Sequence, residues 1–166
     1  MSDLTYSRLE TALGDIYIVA QGQRVSRIIF GKSEFDDFRR GLNGSGMKNG
    51  GASEKLRQEI FTYLDGRLSS FSTPIEIPEG TPFQKAVWKK LLDIPYGSVV
   101  TYKDVAERIG SPGAARAVGN AVGANPLPIV IPCHRVLAGN GLGGYSCGVH
   151  IKESLLRLAR LVGVLF

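Results

Sequence analysis

Cys133 and His134 stand side by side in "NPLPIVIPCHRV", residues 125–136, behind an apolar run held between prolines. A cysteine beside an imidazole can be a nucleophile: the thiolate attacks, and a neighbouring base or a helix N-terminus lowers the thiol pKa to generate it. A buried cysteine is as readily an inert packing residue. Ile129, Val130 and Ile131 read as a buried strand, with Pro132 fixing the backbone before the thiol. On a strand, adjacent side chains face opposite ways, so Cys133 and His134 cooperate only if the strand ends and turns there. The glycine-rich "LAGNGLGGYS" that follows supplies such a turn.

The elements that position this pair read outward from it. "TPFQKAVWKKLLDI" predicts a helix with Thr81 as N-cap, Pro82 at its first position and Phe83, Val87 and Leu91 along one face. "TYKDVAERIG" predicts a second, with Thr101 as N-cap, Asp104 completing a capping box and Gly110 beyond its end. "SPGAARAVGNAVGAN" predicts a third after a tight turn, so the pair has the layout of a helix-turn-helix. Its second helix carries Ala114, Ala115, Ala117, Gly119, Ala121 and Gly123, with Arg116 and Asn120 as the main long polar groups. That composition suits close approach to a groove, or tight packing on a neighbouring helix, better than reading base edges.

The N-terminal half reads differently. "GDIYIVAQGQRVSRIIFG" predicts a hairpin of Ile16 to Ala20 and Val25 to Phe30 about Gln21-Gly22-Gln23, the start of an antiparallel sheet. "EFDDFRRGL" predicts a short helix, "NGSGMKNGG" a loop, and "SEKLRQEIFTYLDG" an amphipathic helix with Ser53 as N-cap and Leu56, Ile60 and Leu64 on one face. "SSFSTPIEIPEGTP", with three prolines, is expected to link two lobes: domains over 1–78 and 79–166. The fold class is α/β (α+β), an antiparallel β-sheet lobe with helices followed by a helical, winged-helix-like lobe.

Charge divides along the same line. Residues 1–79 hold 10 Lys or Arg against 11 Asp or Glu, whereas residues 80–166 hold 10 against 4. The basic second half is either a footprint for a polyanion or a solvated surface without a partner. Two cysteines are too few for a disulfide framework, and no apolar run has membrane-spanning length. "MSDLTYSRLE" lacks the layout of a signal peptide, so the expectation is a soluble, cytoplasmic or nucleoid-associated protein.

"IPCHRV", preceded by "NPLPIV" and followed by "GGYS", resembles the signature of the O6-alkylguanine-DNA alkyltransferases, or methylated-DNA-protein-cysteine methyltransferases. The likeness runs without a gap through "GSVVTYKDVAERIGSPGAARAVGNAVGANP" and more loosely through the hairpin. It implies double-stranded DNA as partner, bound in the minor groove by a monomer. O6-alkylguanine, and also O4-alkylthymine, would be flipped out and dealkylated onto Cys133 in a single-turnover reaction with no cofactor.

By the same resemblance, His134 takes the thiol proton through a water, Tyr102 donates to the departing base, and Asn125 ties the recognition helix to the acceptor segment. Pro128, Tyr145 and Ser146 wall the base pocket, with the Cys133 and Ser146 amides on O6. Arg116 fills the vacated stack, Ala115 and Gly119 meet the groove, and Lys103, Ser111, Gln84 and Gly139 lie near phosphates. Where the family carries a glutamate that orients the histidine, this chain has Ala159, and Cys147 occupies a position that is often glycine. The N-terminal lobe has neither Cys nor His, so no zinc is expected. An alkyltransferase-like lesion binder without transfer activity and a thiol hydrolase are the alternatives.

Overall fold

The computed structural model describes residues 3–43 and 46–160. The chain divides into two compact units, Met1–Pro78 and Glu79–Phe166. The fold is of the mixed α/β class.

In the first unit, strands β1 (Leu4–Thr11), β2 (Gly14–Gln21) and β3 (Arg24–Phe30) form an antiparallel meander. The two-residue β4 (Lys48–Asn49) adds in parallel to β1, giving the order β3-β2-β1-β4. The hairpin of β2 and β3 matches the sequence reading, whereas β1 escaped it. The reason is its composition: β1 buries Ser7 and Leu9 and exposes Arg8 and Glu10, so a polar residue occupies an inward position and blurs the alternation.

Helix α1 (Lys32–Arg40) packs Phe35 on Tyr17, ring centroids 4.1 Å apart, while α2 (Ala52–Leu64) buries Leu56, Ile60 and Tyr63. Ser53 is not the N-cap of α2. Gly51, at φ 70°, turns the chain two residues earlier, and Ser53 lies fully buried inside the first turn with its hydroxyl 2.9 Å from that of Ser7. The proline-bearing segment docks on this unit before it leaves. Glu59 accepts from the amides and hydroxyls of Ser72 and Thr73, and Val25 pairs with the backbone on either side of Ile75.

In the second unit, α3 (Pro82–Leu91) and α4 (Tyr102–Arg108) open at the N-caps read from the sequence; both form capping boxes, of which that of Thr101 and Asp104 was read and that of Thr81 and Gln84 was not. The Gln84 amide donates to Thr81 Oγ1 at 3.1 Å and the Asp104 amide to Thr101 Oγ1 at 3.1 Å. Helix α5 (Ala115–Gly123) follows α4 after a short turn, completing the helix-turn-helix, and lies against α3, where Trp88 Nε1 donates to the Ala121 carbonyl at 2.8 Å. β5 (Val100–Thr101) pairs in parallel with β6 (Val136–Leu137), and α6 (Val149–Leu158) closes the described chain, burying Ile151, Leu155 and Leu156. Among the described residues, no helix is long and apolar enough to cross a membrane. No three His, Cys, Asp or Glu side chains among them converge as a metal ligand set.

Candidate active site

Residues 129–131 do not form a strand. Pro126, Pro128 and Pro132 offer no N–H to a ladder, and the segment coils into turns with Ile129 at φ 75°. Burial follows the sequence reading, since Ile129 and Ile131 are fully enclosed, but Asn125 supplies the bonds a neighbouring strand would have made. Its Nδ2 donates to the Ile131 carbonyl at 2.8 Å, and its Oδ1 accepts from the Leu127 amide at 2.9 Å. The side chain thus bridges the end of α5 and the approach to the acceptor.

The chain then tightens further. Pro132, at φ −79° and ψ 62°, adopts an inverse γ-turn in which the Cys133 amide donates to the Ile131 carbonyl at 2.7 Å. Cys133, His134 and Arg135 form a single 3₁₀ turn, and β6 follows at once, locked to β5 immediately before Tyr102. This places the acceptor turn beside the first residue of the helix-turn-helix. It also commits the Cys133 amide, which the sequence comparison had assigned to the guanine O6. The Ser146 amide has no hydrogen bond among the described residues.

Cys133 is 3% exposed and its thiol donates to Tyr145 Oη at 3.6 Å. Burial pushes the thiol above its usual range, while hydrogen bonds to Tyr145 and Asn125 and the charge of Lys152 act in the opposite sense. His134 is equally enclosed. Burial, then the charges of Arg135 and Lys152, push its imidazole down to about 3, and Nδ1 has no partner among the described residues. The ring is therefore neutral near pH 7, able to relay a proton but not to retain one. Tyr102 is half-buried, its phenol raised first by burial and then by Cys133. Gly143, at φ 73°, brings the glycine-rich loop against it, where a Cβ would lie 3.2 Å from the Tyr102 hydroxyl.

Lys152 is a buried cation beside the site that the sequence reading missed. It lies fully buried on α6, where Nζ donates to the carbonyls of Val136 at 2.7 Å and Gly144 at 3.1 Å and sits 5.9 Å from the Tyr102 ring centroid. Burial lowers it to about 8, with Cys133 opposing, and no carboxylate pairs with it among the described residues. Its signal was a lysine one helical turn before Leu155 and Leu156, on the apolar stripe of α6.

The remaining sequence-predicted residues divide by exposure. Pro128 is buried, Tyr145 half-buried and Ser146 exposed. Cys147 is half-buried and its thiol is pushed up to about 11 by burial and by Cys133. On the helix-turn-helix, Lys103 and Arg116 are exposed, whereas Ala115, Ser111 and Gly119 are partly covered. Gln84 holds the first turn of α3 through its capping box, and Gly139 is exposed in the loop after β6. The structure therefore gathers Cys133, Asn125, Tyr145 and Tyr102, and adds Lys152.

Residues 82–160 match the family described as 6-O-methylguanine DNA methyltransferase, DNA binding domain. A methylated-DNA–protein-cysteine methyltransferase of Methanosarcina barkeri is 40% identical over 156 residues, which cover 92% of this chain and 95% of that protein. The chain belongs to the 6-O-methylguanine DNA methyltransferase family. The constitutive methyltransferase of Bacillus subtilis is 37% identical over 158 residues, 94% of this chain and 95% of its own. Among solved structures of the family, the O6-methylguanine methyltransferase of Mycobacterium tuberculosis superposes with a TM-score of 0.83 at 32% identity, covering 95% of this chain and 93% of that one. The Mycobacterium tuberculosis protein in complex with DNA superposes with a TM-score of 0.81 at 32% identity, over 94% and 92%.

Proposed function

We propose that this chain repairs alkylated DNA by moving an alkyl group from the O6 of guanine to Cys133, once per molecule. The observation that carries the proposal is the acceptor turn itself, a buried thiol hydrogen-bonded to Tyr145 and locked by β6 to the start of a helix-turn-helix. The target atom is inaccessible in a stacked duplex, so the nucleotide must be flipped into the pocket. Arg116, exposed near the start of α5, would fill the gap. Ala115 and Gly119 would press into the minor groove, with Lys103, Ser111, Gln84 and Gly139 along the phosphates.

In the pocket, Pro128 and Tyr145 flank the base and the Ser146 amide holds O6. The Cys133 thiolate attacks the alkyl carbon, a C–S bond forms, the C–O6 bond breaks, and its electron pair remains with the guanine. Tyr102 neutralises the departing base by donating its phenolic proton or hydrogen bond to a ring nitrogen. His134 relays the thiol proton. The product is a thioether, which water does not cleave, so the monomer acts stoichiometrically wherever it meets DNA, in the cytoplasm or at the nucleoid. O4-alkylthymine presents the same kind of carbon and is proposed as a second substrate.

Intact mass after exposure to a duplex containing O6-methylguanine tests this reading. The expected result is a gain of one methyl group per chain, absent in Cys133→Ser although that variant still binds the duplex. An unchanged mass with retained binding would instead identify a lesion binder, and multiple turnover without an adduct would identify a thiol hydrolase.

A further inference from the structure

The acceptor turn is tethered unequally on its two sides. On one side His134 Nδ1 has no partner among the described residues, and Ala159, just past the end of α6, carries no carboxylate. On the other, Arg135 is 7% exposed and donates from Nη1 to the Ile94 carbonyl at 2.7 Å. That carbonyl lies in the tight turn after α3, close to the helix end whose dipole favours a cation. The Arg135 guanidinium carbon also lies 5.6 Å from the Tyr96 ring centroid. Tyr96 in turn donates from its hydroxyl to the carbonyl of Leu158, the last residue of α6, at 3.3 Å. A continuous path therefore runs from the turn that carries the thiol, through Arg135 and Tyr96, to the ends of α3 and α6.

We infer that Arg135 and Tyr96 are positioning residues for alkyl transfer, holding the acceptor turn in register so that the Cys133 sulfur stays aimed at the alkyl carbon. The inference rests on the reading of Cys133 as the acceptor. A guanidinium suits the role because it is planar, keeps its charge when buried and presents its donors in a fixed fork. A three-residue turn has little rigidity of its own, and in-line attack tolerates little displacement: a misplacement of about 1 Å costs on the order of a hundredfold in rate. Neither residue touches the reacting atoms, so their loss acts through the placement of the sulfur.

The test uses the full chain and two readouts that move in opposite directions. Single-turnover transfer is measured at saturating methylated duplex, alongside the dissociation constant for that duplex. The reactivity of Cys133 toward a small aromatic disulfide is measured in a Cys147→Ser background, so that one thiol reports. Arg135→Met is expected to slow transfer about tenfold or more, to leave DNA affinity within about twofold, and to speed labelling of the loosened thiol. Arg135→Lys should recover part of the transfer rate.

Tyr96→Phe removes the hydroxyl that bonds Leu158 and keeps the ring beside Arg135, so it is expected to fold and to slow transfer about threefold in the same pattern. Because the two side chains form one tether, the double variant should lose less than the product of the single losses. Unchanged transfer in a folded Tyr96→Phe and Arg135→Met pair would overturn the inference, as would DNA affinity falling in step with rate. Failure of the unsubstituted chain to accept an alkyl group would refute the acceptor reading instead, and labelling of Cys133 would still report on the tether.

Discussion

Replacing Asn125 by alanine should damage stability and chemistry together. The side chain satisfies two backbone groups, the Leu127 amide and the Ile131 carbonyl, in residues that are themselves fully buried. The substitution leaves the buried Leu127 amide unsatisfied, at about 1 to 3 kcal/mol, and takes from the Ile131 carbonyl one of its two bonds, about 0.5 to 1.5 more, which places the expectation near 3. With a urea m-value of about 1 to 3 kcal/mol/M, the midpoint should fall by about 1 to 3 M. Trp88 is the only tryptophan in the chain and is bonded to α5, so its fluorescence follows the second unit specifically. The Ile131 carbonyl also accepts from the Cys133 amide, so the same substitution should slow single-turnover transfer about tenfold. A midpoint shift below about 0.5 M with an unaltered transfer rate would refute the view that Asn125 stands in for a strand partner.

Arg116→Ala should slow repair of duplex DNA far more than reaction with free O6-benzylguanine, since only the duplex requires flipping; equal losses would indicate a folding defect. Ala159→Glu should shift the rate–pH profile of transfer to lower pH and raise the rate near pH 7, because a carboxylate partner for the unpaired His134 Nδ1 favours the protonated ring. Superimposable profiles from about pH 5 to 9 would show that the imidazole needs no acidic partner. Lys152 is lowered by burial to about 8 from the ordinary 10.5 of a lysine, so the unfolded chain binds more protons than the folded one between those values. Stability should therefore rise with pH across that window, and a series of melting curves on Lys152→Met should lack the rise.

What could be read from the sequence depended on whether the deciding interactions were local. The N-cap and proline at Thr81-Pro82 and the capping box of Thr101 and Asp104 each lie within four residues, so both helix starts were legible. The acceptor motif was legible as chemistry, and its wrong secondary structure has a plain cause. Three apolar residues in a row look alike in a strand and in a coil, and what decides between them is the flanking prolines together with the side chain of Asn125, reaching six residues ahead. Ser53 resembled an N-cap because serine commonly is one, yet its hydroxyl faces Ser7, 46 positions away. Lys152 left a signal in its place on the apolar stripe of α6, but its partners were illegible for the same kind of reason. The carbonyls that make its burial tolerable belong to Val136 and Gly144, and nothing in the sequence near α6 announces them.

The docking of the proline-bearing segment bears on how such a gene can be recombined. Through Glu59 and Val25, residues 72–76 are bonded into the first unit. Gly80 already belongs to the second, since a Cβ there would lie 2.7 Å from the Trp88 ring, and Thr81 caps α3. The tolerant seam is therefore only residues 77–79. A crossover there transmits each half with its own boundary bonds intact, whereas one placed ten codons upstream separates Glu59 from the hydroxyls that satisfy it. Shuffling between relatives should accordingly yield folded chimeras at one narrow junction, although the surrounding composition looks uniformly like linker.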